Sequence, residues 1–270
     1  MSLDSLAPIV TVELASVDGR ISPTREATIA LPDDGLYRGD GVFEVIRLYE
    51  GRPFALGEHL DRLERSAAAI ELEVDRASLE RELEALLSEF GAADAQLRIV
   101  VTRGGRRILL TEQLPERGAS VRLATVTYSP SVILTGVKSL SYAANMQATR
   151  IAQARGADEA LLVTPDGVVL EAPTSTIFWV SAEGGLRTPQ LSSGILESIT
   201  RAQIVRALHV NEGEFRLADL ESAREAFLAS TVREVQPVAA VDDHELEVPG
   251  PRTLEASEAF QRSLAEALAR

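Results

Sequence analysis

The sequence predicts an α+β fold in two domains, and three observations indicate it. Short runs of β-branched and aromatic residues are joined by tight turns that contain glycine, as in hairpins. Apolar residues at helical spacing occur in a few separate blocks. A polar stretch with proline and glycine, residues 112–118, divides the chain as a linker would. Frequent hairpins favour mixed or antiparallel sheets over a Rossmann stack.

The first domain is expected over residues 1–115, as hairpins combined with two helices. From Glu58 the spacing becomes helical, because Leu60, Leu63 and Ala67 fall on one apolar stripe. Gly91 ends the second helix. In chain order, we predict strands at 9–14, 42–49, 52–54 and 96–102, and helices from Glu58 and over 78–90.

The second, larger domain is expected over residues 119–270, where strands alternate with helices. Its hairpins turn at Pro165-Asp166-Gly167 and at Glu183-Gly184-Gly185. In chain order, we predict strands at 122–127, 160–163, 168–170, 176–180 and 226–228, and helices at 144–154, 200–208 and 254–269. Neither a G-x-G-x-x-G motif nor a Walker loop occurs, so nucleotide binding has no support from a motif.

Charge and composition exclude several classes of function. Lysine and arginine number 27 and aspartate and glutamate 41, which gives a formal net charge of −14. Such a chain is not expected to bind nucleic acid or an anionic membrane, because both are negatively charged. Cysteine is absent and the three histidines are far apart, so we predict no metal site. No signal peptide or membrane-spanning run is evident, and we expect a cytoplasmic protein.

The 27 basic residues are 26 arginines and a single lysine, Lys138. Lysine can form a Schiff base or act as a neutral amine, whereas arginine can do neither. A lone surface lysine in an arginine-rich chain is the simpler alternative. Lys138, however, follows the apolar run 132–137, where burial would lower the pKa of its amine towards the range of a nucleophile. We therefore take Lys138 as a candidate catalytic residue.

Three further segments complement this amine. Glu171 ends the apolar strand 168–170, where a carboxylate needs a cationic partner. The segment 192–200 places hydroxyl groups at the start of a helix, and Ser230-Thr231 lies at the end of a strand. Singly, each could be a salt bridge, a helix cap or a turn. Together they supply an amine, a carboxylate for a ring nitrogen and a phosphate cradle, which pyridoxal 5'-phosphate requires.

The chain resembles the fold type IV pyridoxal-phosphate enzymes, which include branched-chain aminotransferases, D-amino-acid aminotransferases and aminodeoxychorismate lyases. The resemblance runs from about Val10 to Pro237, and its blocks occur in the order that the family shows. These blocks are residues 38–47, 59–66, 138–142, 156–160, 171–178, 194–201 and 230–237.

The resemblance implies a site at the interface of the two domains and of a homodimer. It implies that Lys138 forms the Schiff base and shuttles the proton, and that Glu171 keeps the pyridine nitrogen protonated. Phosphate contacts are implied for Arg62, for the backbone of Ile199 and Thr200, and for the hydroxyls of Thr200 and Thr231. Contacts with the ring and its hydroxyl are implied for Leu196 and Tyr142.

The resemblance favours transamination between a branched-chain amino acid, a D-amino acid or an (R)-amine and a 2-oxo acid such as 2-oxoglutarate or pyruvate. Val45 follows the Gly39–Glu44 block as in D-amino-acid aminotransferases, where lyases commonly carry threonine. For the substrate carboxylate we consider Arg98, Arg106 and Arg107, although each could be merely solvated. Two alternatives stay open: an aminodeoxychorismate lyase that forms 4-aminobenzoate and pyruvate, and a non-catalytic acidic binding protein.

Overall fold

A computed structural model describes residues 13–269 and contains two sheets, each with its own helices. Part of the strand predicted at 9–14 and the sequence considered for a signal peptide lie outside these residues. Among the described residues, no helix has the length and apolar character that a membrane crossing requires.

The first sheet has six antiparallel strands in the order β2-β1-β6-β5-β3-β4. Its strands are β1 (Leu14–Val17), β2 (Arg20–Pro23), β3 (Gly41–Tyr49), β4 (Arg52–Pro53), β5 (Ala95–Thr102) and β6 (Arg107–Glu112). Its helices are α1 (Asp34–Arg38), α2 (Leu56–Ala69) and α3 (Arg76–Phe90). Residue 112, assigned to the linker from the sequence, therefore ends a strand.

The two faces of this sheet differ, because side chains alternate along β3 and β5. Ile46, Leu97 and Ile99 are buried in a core with the leucines of α2 and α3. The stripe predicted from the sequence faces this core, since Leu60, Leu63 and Ala67 are at most 2% exposed. The other face, with Val45 and Arg98 paired across the strands, borders a cavity.

The second sheet has eight strands, seven of them in the order β11-β10-β9-β12-β13-β7-β8, with β14 paired to β13. The strands are β7 (Val121–Thr127), β8 (Glu159–Val163), β9 (Thr176–Val180), β10 (Leu186–Pro189), β11 (Asn211–Gly213), β12 (Glu225–Ser230), β13 (Glu234–Val241) and β14 (His244–Glu245). The helices are α4 (Ala143–Gln153), α5 (Ile199–Ala207), α6 (Leu217–Glu221) and α7 (Pro251–Leu268).

This sheet is mixed, as expected, since β7 pairs in parallel with β8 and β13 while β9, β12 and β13 pair antiparallel. The strand predicted at 168–170 is not formed. Val168 and Val169 make isolated bridges to Arg216 and Val163, and the segment is held by backbone hydrogen bonds such as the one from the Leu170 amide to the Leu162 carbonyl at 2.9 Å.

The last helix joins the two halves of the molecule. On α7, Phe260 is 1% exposed and lies edge-on to Phe54 beyond β4, with 5.6 Å between the ring centroids. Leu264 belongs to the same cluster. The chain passes from the first sheet to the second between residues 112 and 121, which agrees in position with the predicted linker. The domain boundary at 115–119 itself stays a prediction.

Candidate active site

A cavity of about 730 Å³ lies between the two sheets and is lined by residues of both. From the first sheet come Phe43, Val45, Gln96, Arg98 and Val100. From the second half come Lys138, Tyr142, Glu171, residues 173–176, Leu196, Ser198, residues 230–233 and Gln236. The linker contributes residues 115–118.

Backbone hydrogen bonds hold Lys138 beside β3. The Phe43 amide donates to the Lys138 carbonyl at 3.0 Å, and the Leu140 amide donates to the Gly41 carbonyl at 2.9 Å. The Lys138 amide donates to Ser66 Oγ of α2 at 3.1 Å. Gly41 permits this approach, since a Cβ there would lie 2.7 Å from Leu140 Cδ1 and 2.5 Å from the Val101 carbonyl oxygen. The segment that carries Lys138 is thus fixed like an added strand.

The amine of Lys138 lies over aromatic rings. Its Nζ is 4.3 Å from the ring centroid of Phe43 and 5.8 Å from that of Tyr142. Part of the side chain faces the cavity, yet protein atoms surround it closely enough that burial lowers the pKa of the amine to about 8. Near pH 7, roughly a tenth of such an amine is neutral and able to accept a proton.

Glu171 carries a carboxylate in the same cavity. Its Oε1 accepts a hydrogen bond from the Leu196 amide at 3.1 Å. Within residues 13–269, no basic side chain forms an ion pair with it. Burial raises its pKa to about 7, although that amide and Lys138 oppose the shift. A cationic group bound beside Glu171 would return the carboxylate to its charged form.

Arg62 belongs to a buried cluster with two residues that the sequence reasoning did not select. Its Nε and Nη2 donate to the two oxygens of Glu44 at 2.7 Å, and His59 Nδ1 lies 2.8 Å from Glu44 Oε2. Arg62 Nη1 donates to the Glu197 carbonyl at 2.8 Å. Burial lowers the pKa of His59, which favours its neutral form. Glu44 therefore fixes one side of the Arg62 guanidinium.

The start of α5 supplies polar groups to one side of the cavity. Ser198 caps this nine-residue helix by accepting a hydrogen bond from the Arg201 amide, and it also lines the cavity. Ile199 and Thr200 form the first turn behind it and do not line the cavity themselves. Leu196 and Thr231 both do. Of the cradle expected from the sequence, the cap and Thr231 therefore face the space directly.

Tyr142 lines the cavity with its ring rather than with a free hydroxyl. Its Oη donates to the Pro173 carbonyl at 2.7 Å, and its ring meets that of Phe43 edge-on at 5.2 Å between centroids. Burial raises the pKa of the phenol, so the hydroxyl stays protonated at neutral pH. For Tyr142 to contact the hydroxyl of a bound ring, its hydrogen bond to the Pro173 carbonyl would have to be shared or broken.

Of the three arginines considered for the substrate carboxylate, the structure brings only Arg98 to the cavity. Arg98 Nε donates to Glu112 Oε2 at 2.9 Å. Arg106 pairs with Asp18 at 2.8 Å and Arg107 with Glu82 of α3 at 2.7 Å. Neither Arg106 nor Arg107 lines the cavity. Asp18 lies in the turn between β1 and β2 and Glu82 lies on α3, so both arginines are paired outside the cavity.

The residues present fit pyridoxal phosphate. Besides the amine and the unpaired carboxylate, Ser175 Oγ and Thr176 Oγ1 are buried beside the cavity, and neither has a hydrogen-bond partner among the described residues. Buried hydroxyls without partners are costly, so a polar ligand that satisfies them would be stabilised. Sequence reasoning missed these hydroxyls, together with Phe43 and Arg117, although Phe43 lies in the block that carries the family resemblance.

The chain is similar to one family of known proteins. The model of the family described as Amino-transferase class IV matches residues 41–241. D-alanine aminotransferase of Bacillus licheniformis is 31% identical over 272 residues, which cover 92% of this chain and 95% of the relative. Aminodeoxychorismate lyase of Bacillus subtilis is 29% identical over 254 residues, which cover 84% and 86%.

Two solved structures have the same fold. The branched-chain aminotransferase of Thermoproteus uzoniensis, solved with norvaline, gives a TM-score of 0.83 at 29% identity and covers 94% of this chain and 95% of its own. A fold IV transaminase from Curtobacterium pusillum gives 0.83 at 27% identity, with 94% and 99% covered. The fold class predicted from the sequence is confirmed by these neighbours.

We expect the Glu44 cluster to make stability depend on pH. Burial alone would raise the pKa of Glu44, but Arg62 and His59 outweigh it and lower the pKa from 4.5 to about 2. A carboxyl with a lower pKa in the folded chain stabilises the fold above pH 4.5, and this contribution is lost as the pH falls towards 2. At neutral pH it amounts to about 3 kcal/mol.

Urea unfolding of the parent and of Glu44→Gln tests this expectation. The difference in free energy of unfolding should be largest near neutral pH and should narrow below about pH 4.5, while both proteins remain folded. Glu73→Gln, which alters an exposed carboxylate, should follow the parent at every pH. A difference between parent and Glu44→Gln that stays constant in acid would contradict the linkage.

Proposed function

We propose that this chain, which belongs to the class IV aminotransferase family, moves an amino group between an amino acid or an (R)-amine and a 2-oxo acid. As a member of that family it is a pyridoxal-phosphate-dependent transferase of amino groups. The observation that carries the proposal is the only lysine of the chain, held against β3 with its amine facing a cavity that also contains Glu171. The donors we favour are branched-chain or D-amino acids, and the acceptors are 2-oxoglutarate or pyruvate.

Lys138 is the residue to which we assign proton movement. Pyridoxal phosphate, when bound, supplies an electron sink that makes the α-proton of an amino acid removable. Lys138 Nζ would take that proton, because burial keeps its pKa near the working pH and backbone hydrogen bonds fix its position. The Phe43 ring beneath the amine limits access of water from that side.

Glu171 is the proposed partner of a protonated ring nitrogen. The Leu196 amide orients its carboxylate, and in the described part of the chain no cation competes for it. Burial makes an isolated carboxylate costly there, so a bound cation gains a strong partner. The residue therefore favours a ligand that carries positive charge at this point.

The phosphate would lie against the start of α5. Backbone amides of the first turn and the helix dipole favour an anion there, and the Ser198 and Thr231 hydroxyls face the cavity. Arg62 would present its remaining N–H groups while Glu44 holds the opposite side of the guanidinium. Ile199 and Thr200 would contribute through their backbone, with Leu196 and Tyr142 packing beside the ring.

A lyase is the second candidate, since one of the relatives is an aminodeoxychorismate lyase. Val45 bears against it, because this side chain faces the cavity and offers no hydroxyl where lyases commonly carry threonine. A non-catalytic binding protein is disfavoured by family membership and by a cavity that contains both a reactive amine and a buried carboxylate.

Because Lys138 is the only lysine, we expect a single covalent attachment point for the cofactor. Borohydride reduction of the yellow holoenzyme should fix pyridoxal phosphate to the peptide that contains Lys138, as read by peptide mass. Lys138→Ala should lose the adduct, and Lys138→Arg serves as the control that keeps the positive charge. An adduct confined to the terminal amine would overturn the assignment.

The reaction is tested by a donor panel. We expect the holoenzyme to form 2-oxo acids from one class among L-amino acids, D-amino acids and (R)-amines when 2-oxoglutarate or pyruvate is present. Product should depend on the acceptor, because the amino group must be passed on for turnover. Release of pyruvate from aminodeoxychorismate in the absence of an acceptor, with no transfer from any donor, would favour the lyase instead.

We also propose a homodimer in the cytoplasm. The family resemblance suggests the dimer, and apolar side chains beside the Lys138 segment support it, since Val132 is 88% and Ile133 is 87% exposed. Sedimentation equilibrium should give two chains per particle, and Ile133→Glu should shift the particle towards a single chain. Leu254→Glu, on exposed α7 surface, is the matched control. A parent that sediments as one chain would contradict the dimer.

A further inference from the structure

The arginines of the cavity differ in their ion pairs. Arg62, Arg98 and Arg233 each have a carboxylate within 4.0 Å, supplied by Glu44, Glu112 and Glu159 respectively. Arg117, the remaining arginine that lines the cavity, has none among residues 13–269. Arg117 therefore lines the cavity with a positive charge that no carboxylate of the described residues matches.

The surroundings of Arg117 disfavour the charged form of its side chain. The side chain is half-buried, and burial together with the positive charges of Arg47 and Arg233 lowers its pKa. The nearby Glu234 is already shared, since it accepts from Tyr49 at 2.8 Å and from Gln261 at 2.8 Å and pairs with Arg47 at 3.4 Å. A half-buried cation without a partner is stabilised when an anion arrives.

The linker that carries Arg117 is held against the second sheet. Gln236 Nε2 donates to the Gly118 carbonyl at 2.9 Å, and Gln236 Oε1 accepts from Arg233 Nη1 at 2.6 Å. Both ends of the Gln236 amide are thereby used, which fixes the backbone beside Arg117. Arg117 therefore lines the cavity from a backbone that is fixed at the neighbouring residue, Gly118.

We propose that Arg117 binds the carboxylate of the amino-acid or 2-oxo-acid substrate. The proposal rests on the proposed function for the identity of the ligand. Arg98, the one sequence candidate in the cavity, already pairs with Glu112, whereas no carboxylate of residues 13–269 lies within 4.0 Å of Arg117. A guanidinium matches a carboxylate through two parallel N–H···O hydrogen bonds, and a neutral amide cannot replace that charge.

Binding of an unreactive acid to the holoenzyme tests the site without turnover. Isothermal titration with pentanoate and with its neutral isostere pentanamide should show tighter binding of the acid to the parent. Arg117→Gln should weaken the binding of pentanoate by about tenfold or more, as expected for a lost charge-assisted hydrogen bond. The same substitution should change the affinity for pentanamide by less than about twofold. Arg117→Lys, which keeps the charge but not the fork, should fall between.

Arg122→Gln is the matched control, because it removes an exposed arginine of β7 that pairs with Glu245 outside the cavity. It should leave both affinities unchanged. Three results would overturn the proposal: parent affinities that are equal for acid and amide, equal weakening of both ligands by Arg117→Gln, or unchanged pentanoate binding in that variant.

The absorbance of bound cofactor provides a second measurement. Arg117→Gln should retain pyridoxal phosphate as the parent does, and its loss would assign Arg117 to the phosphate instead and overturn the proposal. A chain that fails the donor panel but still distinguishes pentanoate through Arg117 would refute the proposed function while leaving this carboxylate site in place.

Discussion

Two backbone hydrogen bonds between β3 and the segment 138–140 are the contact on which the cavity depends. They join a strand of the first sheet to a segment that follows β7 of the second, and Ser66 of α2 adds a third bond to the Lys138 amide. Lys138 is therefore positioned by the first half of the chain although it belongs to the second. The contact of Phe260 with Phe54 joins the halves a second time. The candidate site consequently depends on the junction between the two sheets.

The environments of two carboxyls explain how the cavity can hold a ligand and still be stable without one. Glu44 is fully buried and has its cationic partner within the chain, so its pKa lies at about 2. Glu171 has only an amide, and burial brings its pKa to about 7. Glu44 therefore needs no ligand to balance its charge, and it holds Arg62 in place. Glu171 has no cationic partner in the described chain and can accept one from a ligand. Without a ligand, protonation of Glu171 avoids the full cost of an unpaired buried charge.

The sequence predicted the fold class, which the solved neighbours confirm, and it predicted a set of site residues, several of which line one cavity, because both leave local signals. A lysine after an apolar run and a carboxylate at the end of one are visible in the chain, whereas ion-pair partners are not. Arg106 and Arg107 follow a strand end, where the sequence suggested a substrate clamp, but Asp18 in the β1–β2 turn and Glu82 on α3 pair with them. In the sequence, nothing distinguishes Glu44 from the other residues of its predicted strand. Arg117 lies in a linker without periodicity, so only three-dimensional packing shows that it faces the cavity.

The near absence of lysine also shapes how the molecule exchanges protons with solvent. Arginine keeps its charge throughout the pH range in which enzymes are studied, so the 26 arginines contribute a constant positive charge. Between neutral pH and the alkaline range, the terminal amine, the tyrosines and Lys138 are the remaining basic or phenolic groups that can change charge. Burial moves the pKa of Tyr49, Tyr128 and Tyr142 upward, away from that of Lys138. Near pH 8, Lys138 and the terminal amine are therefore the basic groups that change charge, so a change that persists after the terminal amine is blocked originates close to the cavity.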